Sequence, residues 1–260
     1  MSDGAPPLHG WTVVSLRPRG QHAPVRNAAA RCGARTCGLS PFAIGACHDD
    51  ASRQALERAI ACPVVIATSP NAVQAANALR PLRAGNGQRW LAVGAGSRDA
   101  LARCGIAADA PSRMDSEGLL ALPALQAVDG TDVAFVTAPG GRGRIAATLQ
   151  ARGARIHRAD VYARQPVAIP AAAWRRLDAA LADPARVLLL ASSGEALEAL
   201  LAQASPELRP TLLQAAVVAP GARLAGLARD AGFARIAVAG SPRPAAMLRA
   251  AVQAFATMST

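Results

Sequence analysis

Short apolar runs rich in Val, Ile, Leu and Ala recur along the chain, each followed by a Gly, Ser or Pro turn and then an Ala/Leu stretch of helical period. Uninterrupted apolar runs between turn residues fit strands covered on both faces, and the stretches after them fit the covering helices. The alternation predicts an α/β fold with parallel sheets.

Three of these units occur twice, in the same order. Val64-Val-Ile-Ala-Thr-Ser69-Pro-Asn-Ala-Val is echoed by Val187-Leu-Leu-Leu-Ala-Ser192-Ser-Gly-Glu-Ala-Leu, each a strand and then a hydroxyl-bearing turn able to cap the next helix. Leu91-Ala-Val-Gly-Ala-Gly-Ser-Arg is echoed by Ala216-Val-Val-Ala-Pro-Gly-Ala-Arg, and each helix that follows ends on a glycine. Pro111-Ser-Arg-Met-Asp-Ser-Glu-Gly-Leu-Leu is echoed by Gly240-Ser-Pro-Arg-Pro-Ala-Ala-Met-Leu.

A fourth unit breaks the order. Asp132-Val-Ala-Phe-Val-Thr-Ala-Pro-Gly-Gly-Arg, with Gly153-Ala-Arg-Ile156 after its helix, matches the N-terminal Trp11-Thr-Val-Val-Ser-Leu-Arg17-Pro-Arg-Gly-Gln, with Gly33-Ala-Arg-Thr36. The N-terminal unit therefore completes the C-terminal half. The expected domains are 1–40 with 166–260, and 41–165. The chain crosses between them twice, near Ser40-Pro-Phe-Ala-Ile44 and Val161-Tyr-Ala-Arg-Gln-Pro166. Two adjacent extended crossings predict a two-stranded linker that acts as a hinge, with a cleft between the domains. Four or five strands per half fit two similar flavodoxin-like sheets, whose ligands sit beyond the carboxyl ends of the strands.

Composition narrows the classes. The formal charge is +11, and all 28 basic residues are arginine. They are scattered through the helices, with no basic run and no aromatic platform, which argues against nucleic acid and for an acidic small molecule. Cys32, Cys37, Cys47, Cys62 and Cys104 form no CxxC pair, and residues 1–9 lack a charged segment leading into an apolar one. Reduced thiols in a cytoplasmic protein are expected. Cys47-His48 alone make no metal site. No apolar run approaches membrane-spanning length.

The candidate site residues are the turns. Gly94-Ala-Gly96-Ser97 opens a helix after a strand, but Asp99 stands where a dinucleotide fingerprint needs its last glycine. Pro139-Gly-Gly141-Arg142 lacks the Lys-Ser/Thr of a phosphate-binding loop. What remains is N–H groups at helix starts, which favour anions. Ser69 and Ser193 lie in no nucleophile elbow and read equally as caps or as ligand contacts. Tyr162, the only tyrosine, falls in the second crossing, where its ring is expected at the cleft mouth. Its hydroxyl reads as a donor to a substrate oxygen or as a buried structural group.

Together Arg17-Pro-Arg-Gly-Gln, Thr68-Ser-Pro-Asn-Ala-Val, Val93-Gly-Ala-Gly-Ser, Met114-Asp-Ser-Glu-Gly-Leu, Gly140-Gly-Arg, Val161-Tyr-Ala-Arg and Ser192-Ser-Gly-Glu-Ala-Leu resemble the uroporphyrinogen-III synthase family over nearly the whole chain. The resemblance implies two α/β domains on a two-stranded linker. It implies a hydro-lyase of heme biosynthesis that cyclises hydroxymethylbilane, losing water and inverting the last pyrrole ring, with neither metal nor organic cofactor. The substrate carries eight carboxylates, which suits arginines and backbone N–H groups. By this resemblance Tyr162 is catalytic, assisting departure of the hydroxyl, and Ser69, Asn71 and Ser97 match substrate-site positions. With the turns read above, the expected substrate-binding set is Arg17, Ser69, Asn71, Gly94, Gly96, Ser97, Gly141, Arg142, Ser193, Gly194 and Gly221. The family commonly has a hydroxyl in the turn that here reads Ala219-Pro-Gly-Ala222, so any role for one there is lost. A monomer is expected, free of nucleic acid and membrane, meeting the preceding pathway enzyme only transiently. The rival reading is a non-catalytic two-lobed protein that binds an acidic small molecule.

Overall fold

A computed structural model describes residues 5–113, 116–140 and 143–256. In chain order the elements are β1 (Thr12–Ser15), α1 (Ala23–Arg31), β2 (Arg35–Gly38), β3 (Phe42–Ala46), α2 (Asp50–Ile60), β4 (Val64–Ala67), α3 (Pro70–Leu79), β5 (Arg89–Ala92), α4 (Ala95–Arg103), α5 (Ser116–Leu120), β6 (Asp132–Thr137), α6 (Arg144–Ala151), β7 (Arg155–Asp160) and β8 (Tyr162–Pro166). They continue with α7 (Ala171–Ala180), β9 (Val187–Leu190), α8 (Gly194–Gln203), α9 (Arg209–Leu212), β10 (Ala216–Ala219), α10 (Ala222–Asp230), β11 (Arg235–Val238) and α11 (Pro244–Ala251). The chain divides into two compact units, Met1–Ala43 with Gln165–Thr260, and Ile44–Arg164.

Unit 1 holds a five-stranded sheet in the order β11-β10-β9-β1-β2, all of its pairs parallel. Numbered by position within the unit this is the flavodoxin order, 2-1-3-4-5. Its strands alternate between two cores, as the period of two requires. Val187 and Leu189 of β9 pack on one side with Val14, Leu177, Leu197 and Val217. Leu188 and Leu190 pack on the other with Trp11, Val13, Val218 and Leu248. β1 thus supplies residues to both cores.

Unit 2 holds a four-stranded parallel sheet, β5-β4-β6-β7. Asp109 bridges to Leu91 of β5 and adds one parallel pairing there. Val65 and Ala67 of β4 face one core, and Val64 and Ile66 the other. Helices cover both faces, which explains why these strands are unbroken apolar runs. β3 and β8 form a separate two-stranded ribbon. Cys47 N–H donates to Val161 O, and Val167 N–H to Pro41 O, so the ribbon strands run in opposite directions.

The internal duplication is visible in the backbone. Thr12, Arg35 and Phe42 open β1, β2 and β3, while Asp132, Arg155 and Tyr162 open β6, β7 and β8, a constant offset of 120 residues. Thr12 pairs with Arg35 in register as Asp132 pairs with Arg155. Two left-handed glycines recur at the same spacing: Gly20 and Gly140 (φ +81° and +84°), and Gly33 and Gly153 (φ +79° and +84°). A side chain is strained at such angles, so these turns demand glycine in both copies.

Among the described residues no helix is long and apolar enough to cross a membrane, and no group of three or more His, Cys, Asp or Glu side chains could hold a metal. All five cysteines are free thiols.

Two outcomes are expected. We take residues 41–165 and 1–40 with 166–260 as the domains of the proposed architecture. Fragment 41–165 then melts cooperatively alone, whereas 166–260 does not, because without β1 and β2 the β9 edge is unpaired and both cores lose residues. A cooperative calorimetric transition from 166–260 would overturn this. The second concerns Asp132, which accepts hydrogen bonds from Arg155 (3.0 and 2.6 Å) and lies 2.7 Å from His157 Nε2. Arg155 first, and then His157, hold its carboxyl down at about 2, against 3.8 unperturbed. A depressed folded value means the stabilisation is complete above about pH 4 and fades as pH falls towards 2. The gap in unfolding free energy between wild type and Asp132→Asn, measured in urea, should be level from neutral pH to about pH 4 and close below it.

Candidate active site

Because every strand of the five-stranded sheet, and every strand of the four-stranded one, is parallel, the turns entering the helices gather at the carboxyl edge of each. Two of these turns are built alike in both units. Ser69 caps α3 with φ −158° and ψ 159°, its Oγ accepting from Ala72 N–H at 3.0 Å. Ser193 caps α8 with φ −159° and ψ 158°, accepting from Ala196 N–H at 3.1 Å. Gly94 and Gly221 open α4 and α10 in extended backbone, with no side-chain cap.

The Tyr162 ring is 5% exposed and packs in the core of unit 2 with Val65, Ala67 and Val161, the buried one of its two sequence readings. Its hydroxyl has a partner, Ser69 Oγ, at 3.1 Å. The duplication separates the two jobs of this side chain. The matching residue of the first copy is Phe42, also buried (6%), so an aromatic ring is what packing needs there and the hydroxyl is an addition peculiar to unit 2.

Tyr162 borders a pocket of about 500 Å³ lined also by Thr68, Ser69, Thr137, Arg158 and Arg164, among others. Thr68 Oγ1 donates to Val136 O at 3.3 Å and lies 2.9 Å from Thr137 Oγ1, placing two hydroxyls beside the serine–tyrosine pair. Arg158 donates to Asp160 at 2.9 Å and to Ala138 O at 3.2 Å, which holds its guanidinium at the rim. The pocket therefore combines a hydroxyl cluster with two guanidinium groups. It suits an anion that also offers oxygen acceptors.

Of the residues predicted from sequence, the pocket brings together Ser69 and Tyr162. Asn71 lies in the first turn of α3, half-buried. Gly94, Gly96 and Ser97 lie on the neighbouring turn and outside the pocket lining. A Cβ on Gly96 would meet Pro70 Cγ at 3.2 Å, so this glycine lets α3 and α4 approach. Ser97 is buried at 4%, and its N–H donates to Gly94 O at 3.0 Å. Gly141 and Arg142 lie outside the described residues, as do Met114 and Asp115. Arg17, Ser193, Gly194 and Gly221 belong to unit 1, at the carboxyl edge of its own sheet. A Cβ on Gly194 would fall 2.7 Å from Leu227 Cδ1, so any side chain there would have to displace that methyl. Burial lowers the pKa of Arg17, although it remains the charged form, and no acidic partner of it is found among the described residues.

Sequence reasoning passed over Arg158 and did not count Arg164, Thr68 or Thr137 as site residues. A signal was present. Arg158, Asp160, Tyr162 and Arg164 alternate with Ala159, Val161 and Ala163, so in an extended run the polar set shares one side.

The fold and this pocket define a class: a duplicated, flavodoxin-like α/β protein with a basic, hydroxyl-bearing pocket at a strand carboxyl edge. Within that class the match is specific. The family model for uroporphyrinogen-III synthase HemD covers residues 28–249, and the chain belongs to that family. Its members are lyase-type enzymes of porphyrin and heme biosynthesis, and membership implies a tetrapyrrole substrate. The fold is similar to that of a mutant uroporphyrinogen III synthase from the extremely thermophilic bacterium Thermus thermophilus (20% identity, TM-score 0.58, covering 94% of this chain and 98% of that one). It is also similar to uroporphyrinogen-III synthetase from Helicobacter pylori (14% identity, TM-score 0.62, covering 94% and 99%). No curated protein sequence matches the chain significantly.

The two jobs of Tyr162 can be separated by stability. Tyr162→Phe keeps the ring that Phe42 shows to be sufficient, and it leaves Ser69 its bond to Ala72. Urea denaturation should show a loss of about 1 kcal/mol or less. Tyr162→Ala opens a core cavity and should cost roughly 3–5 kcal/mol. Equal losses in the two variants would mean that the hydroxyl, not the ring, anchors this position.

Proposed function

We propose that the chain cyclises hydroxymethylbilane to uroporphyrinogen III, releasing water and inverting the last pyrrole ring. The observation that carries this reading is the family match over residues 28–249. It also disfavours a non-catalytic binding protein. In this reading the enzyme acts as a monomer in the cytoplasm and takes substrate through transient contact with the preceding enzyme.

The chemistry asks for orientation more than for reactive side chains. Departure of the hydroxyl from the terminal ring leaves a cationic azafulvene that can close without inversion. To make the inverted isomer, the enzyme must present the substituted ring carbon to attack, and holding reacting atoms in place is worth several kcal/mol of barrier. The arginines and turn N–H groups would hold substrate carboxylates: Arg17, Ser193, Gly194 and Gly221 on unit 1, and Ser69, Asn71, Gly94, Gly96, Ser97, Gly141 and Arg142 on unit 2. The structure adds Arg158 and Arg164 as candidates for the same work. Either hydroxyl of the Ser69–Tyr162 pair can be the donor. In this proposal Ser69 donates to the phenol oxygen, the phenol gives its proton to the departing hydroxyl, which leaves as water, and the proton released when the ring closes restores the phenol.

The test is the isomer formed. Purified protein incubated with hydroxymethylbilane should give the inverted uroporphyrinogen III, resolved by chromatography. Only the un-inverted ring, at the rate seen without protein, would sink the reading. Tyr162→Phe should lower kcat by about 10²-fold, the low end for general-acid help, because the pyrrole already activates the leaving group. Unchanged turnover would leave a site that works by shape and charge alone.

A further inference from the structure

The turn after β1 carries Arg17, and beside it lies a polar chain of two buried serines bridged by the half-buried His22. His22 Nδ1 is 2.9 Å from Ser15 Oγ, His22 Nε2 is 2.8 Å from Ser40 Oγ, and Ser40 Oγ donates to Arg17 O at 2.8 Å. Ser15 is fully buried and Ser40 is 7% exposed. The ring lies tight against Gly38, where a Cβ would fall 2.8 Å from Nε2, so β2 needs glycine at this point to admit it.

Counting protons gives the chain a direction. Ser40 has one hydroxyl proton and donates it to the Arg17 carbonyl, so towards His22 it can only accept. Nε2 therefore carries the ring proton, and in the neutral ring Nδ1 accepts from Ser15. One neutral tautomer satisfies all four groups. Burial, and then Arg26 and Arg17, lower the pKa of His22 and favour that form. A second bond pins the same turn, from Arg19 N–H to Phe42 O at 2.9 Å. The second copy cannot build this chain, because Phe135 and Asp160 occupy the positions of Ser15 and Ser40 at the 120-residue offset.

We propose that the Ser15–His22–Ser40 chain is a positioning device that fixes the backbone of Arg17, so that its guanidinium is held ready for a substrate carboxylate. This rests on the substrate role proposed above for Arg17. Ser40 and His22 touch no substrate in this account and act only through the turn they hold. Losing them releases the Arg17 carbonyl, and the guanidinium then has to be ordered at the expense of binding energy.

The test compares Arg17→Ala, Ser40→Ala and His22→Ala, alone and with each of the last two combined with Arg17→Ala. KM and kcat for hydroxymethylbilane are measured together with the melting temperature. Ser40→Ala removes a single oxygen, and it keeps the test open should His22→Ala fold poorly. Arg17→Ala should raise KM about tenfold, the loss of one charge-assisted hydrogen bond, with kcat changed less than about twofold. Ser40→Ala and His22→Ala should raise KM in the same direction, and neither should raise it further once Arg17 is Ala. If Arg17→Ala leaves KM unchanged, the substrate role of Arg17 fails and this proposal falls with it. If Arg17→Ala raises KM but Ser40→Ala only lowers the melting temperature, the chain is structural and the proposal alone is overturned. Additive KM effects in the double variants would overturn it as well, since they would mean that Ser40 and His22 do not work through Arg17.

Discussion

The pairing of β1 with β9 is the contact on which unit 1 depends. It joins Thr12 to Val187 and Ser15 to Leu190, residues far apart in the chain, at the middle of a five-stranded sheet. Val14 and Leu189 face each other there and both are fully buried. Without this pairing β9 would be an edge, and β1 with its partner β2 would lose their sheet. Closing so long a loop costs little more entropy than closing a shorter one, because the cost grows only logarithmically. The doubly covered strands repay it. The same pairing delivers the turn that carries Arg17 to the carboxyl edge, beside the turn that carries Ser193, and Ser192 Oγ donates to Leu16 O across that join at 3.5 Å.

Duplication makes differences between the copies informative. Where both copies keep a feature, such as the left-handed glycines or the serine caps, the fold itself is a sufficient reason. Where one copy adds a polar atom that packing does not need, function is the better reason. Tyr162 against Phe42 is the sharpest case, since two buried aromatic rings at matched positions differ by one hydroxyl, and that hydroxyl reaches Ser69 at a pocket. Ser193 has the same cap geometry as Ser69, but its counterpart ring has no oxygen to offer. The Ser15–His22–Ser40 chain belongs to the other copy. Each unit thus specialises a different turn of a shared framework.

Electrostatics follow the same division. The arginines give the chain its charge, yet several form exposed ion pairs, such as Arg80 with Glu57 and Arg186 with Asp183. Exposed pairs of this kind contribute little, so net charge alone says nothing of a site. Arg17 is informative because its backbone carbonyl is held by Ser40, and Arg158 because its guanidinium is held at the pocket by Asp160 and Ala138 O.

Much of this protein was legible in its sequence. Apolar runs of strand length announced parallel sheets, because strands covered on both faces must be apolar throughout. Repeated turn chemistry announced the duplication, because caps and left-handed glycines are local requirements that each copy must meet. The seven matched motifs pointed to the family that the later comparison identified. What the sequence could not decide was orientation and partnership. It left open whether the Tyr162 ring faced solvent or core, and only the packing of β8 against Val65 and Ala67 settled that. It offered Gly96, Ser97 and Gly194 as ligand contacts but could not show that Gly96 and Gly194 also sit close to neighbouring helices, or that the Ser97 side chain is buried. It passed over Arg158 and the serines around His22, since their meaning lies in neighbours distant along the chain. Periodicity and turn chemistry act within a few residues and so can be read in sequence, whereas burial and hydrogen-bond partners arise only when distant segments meet.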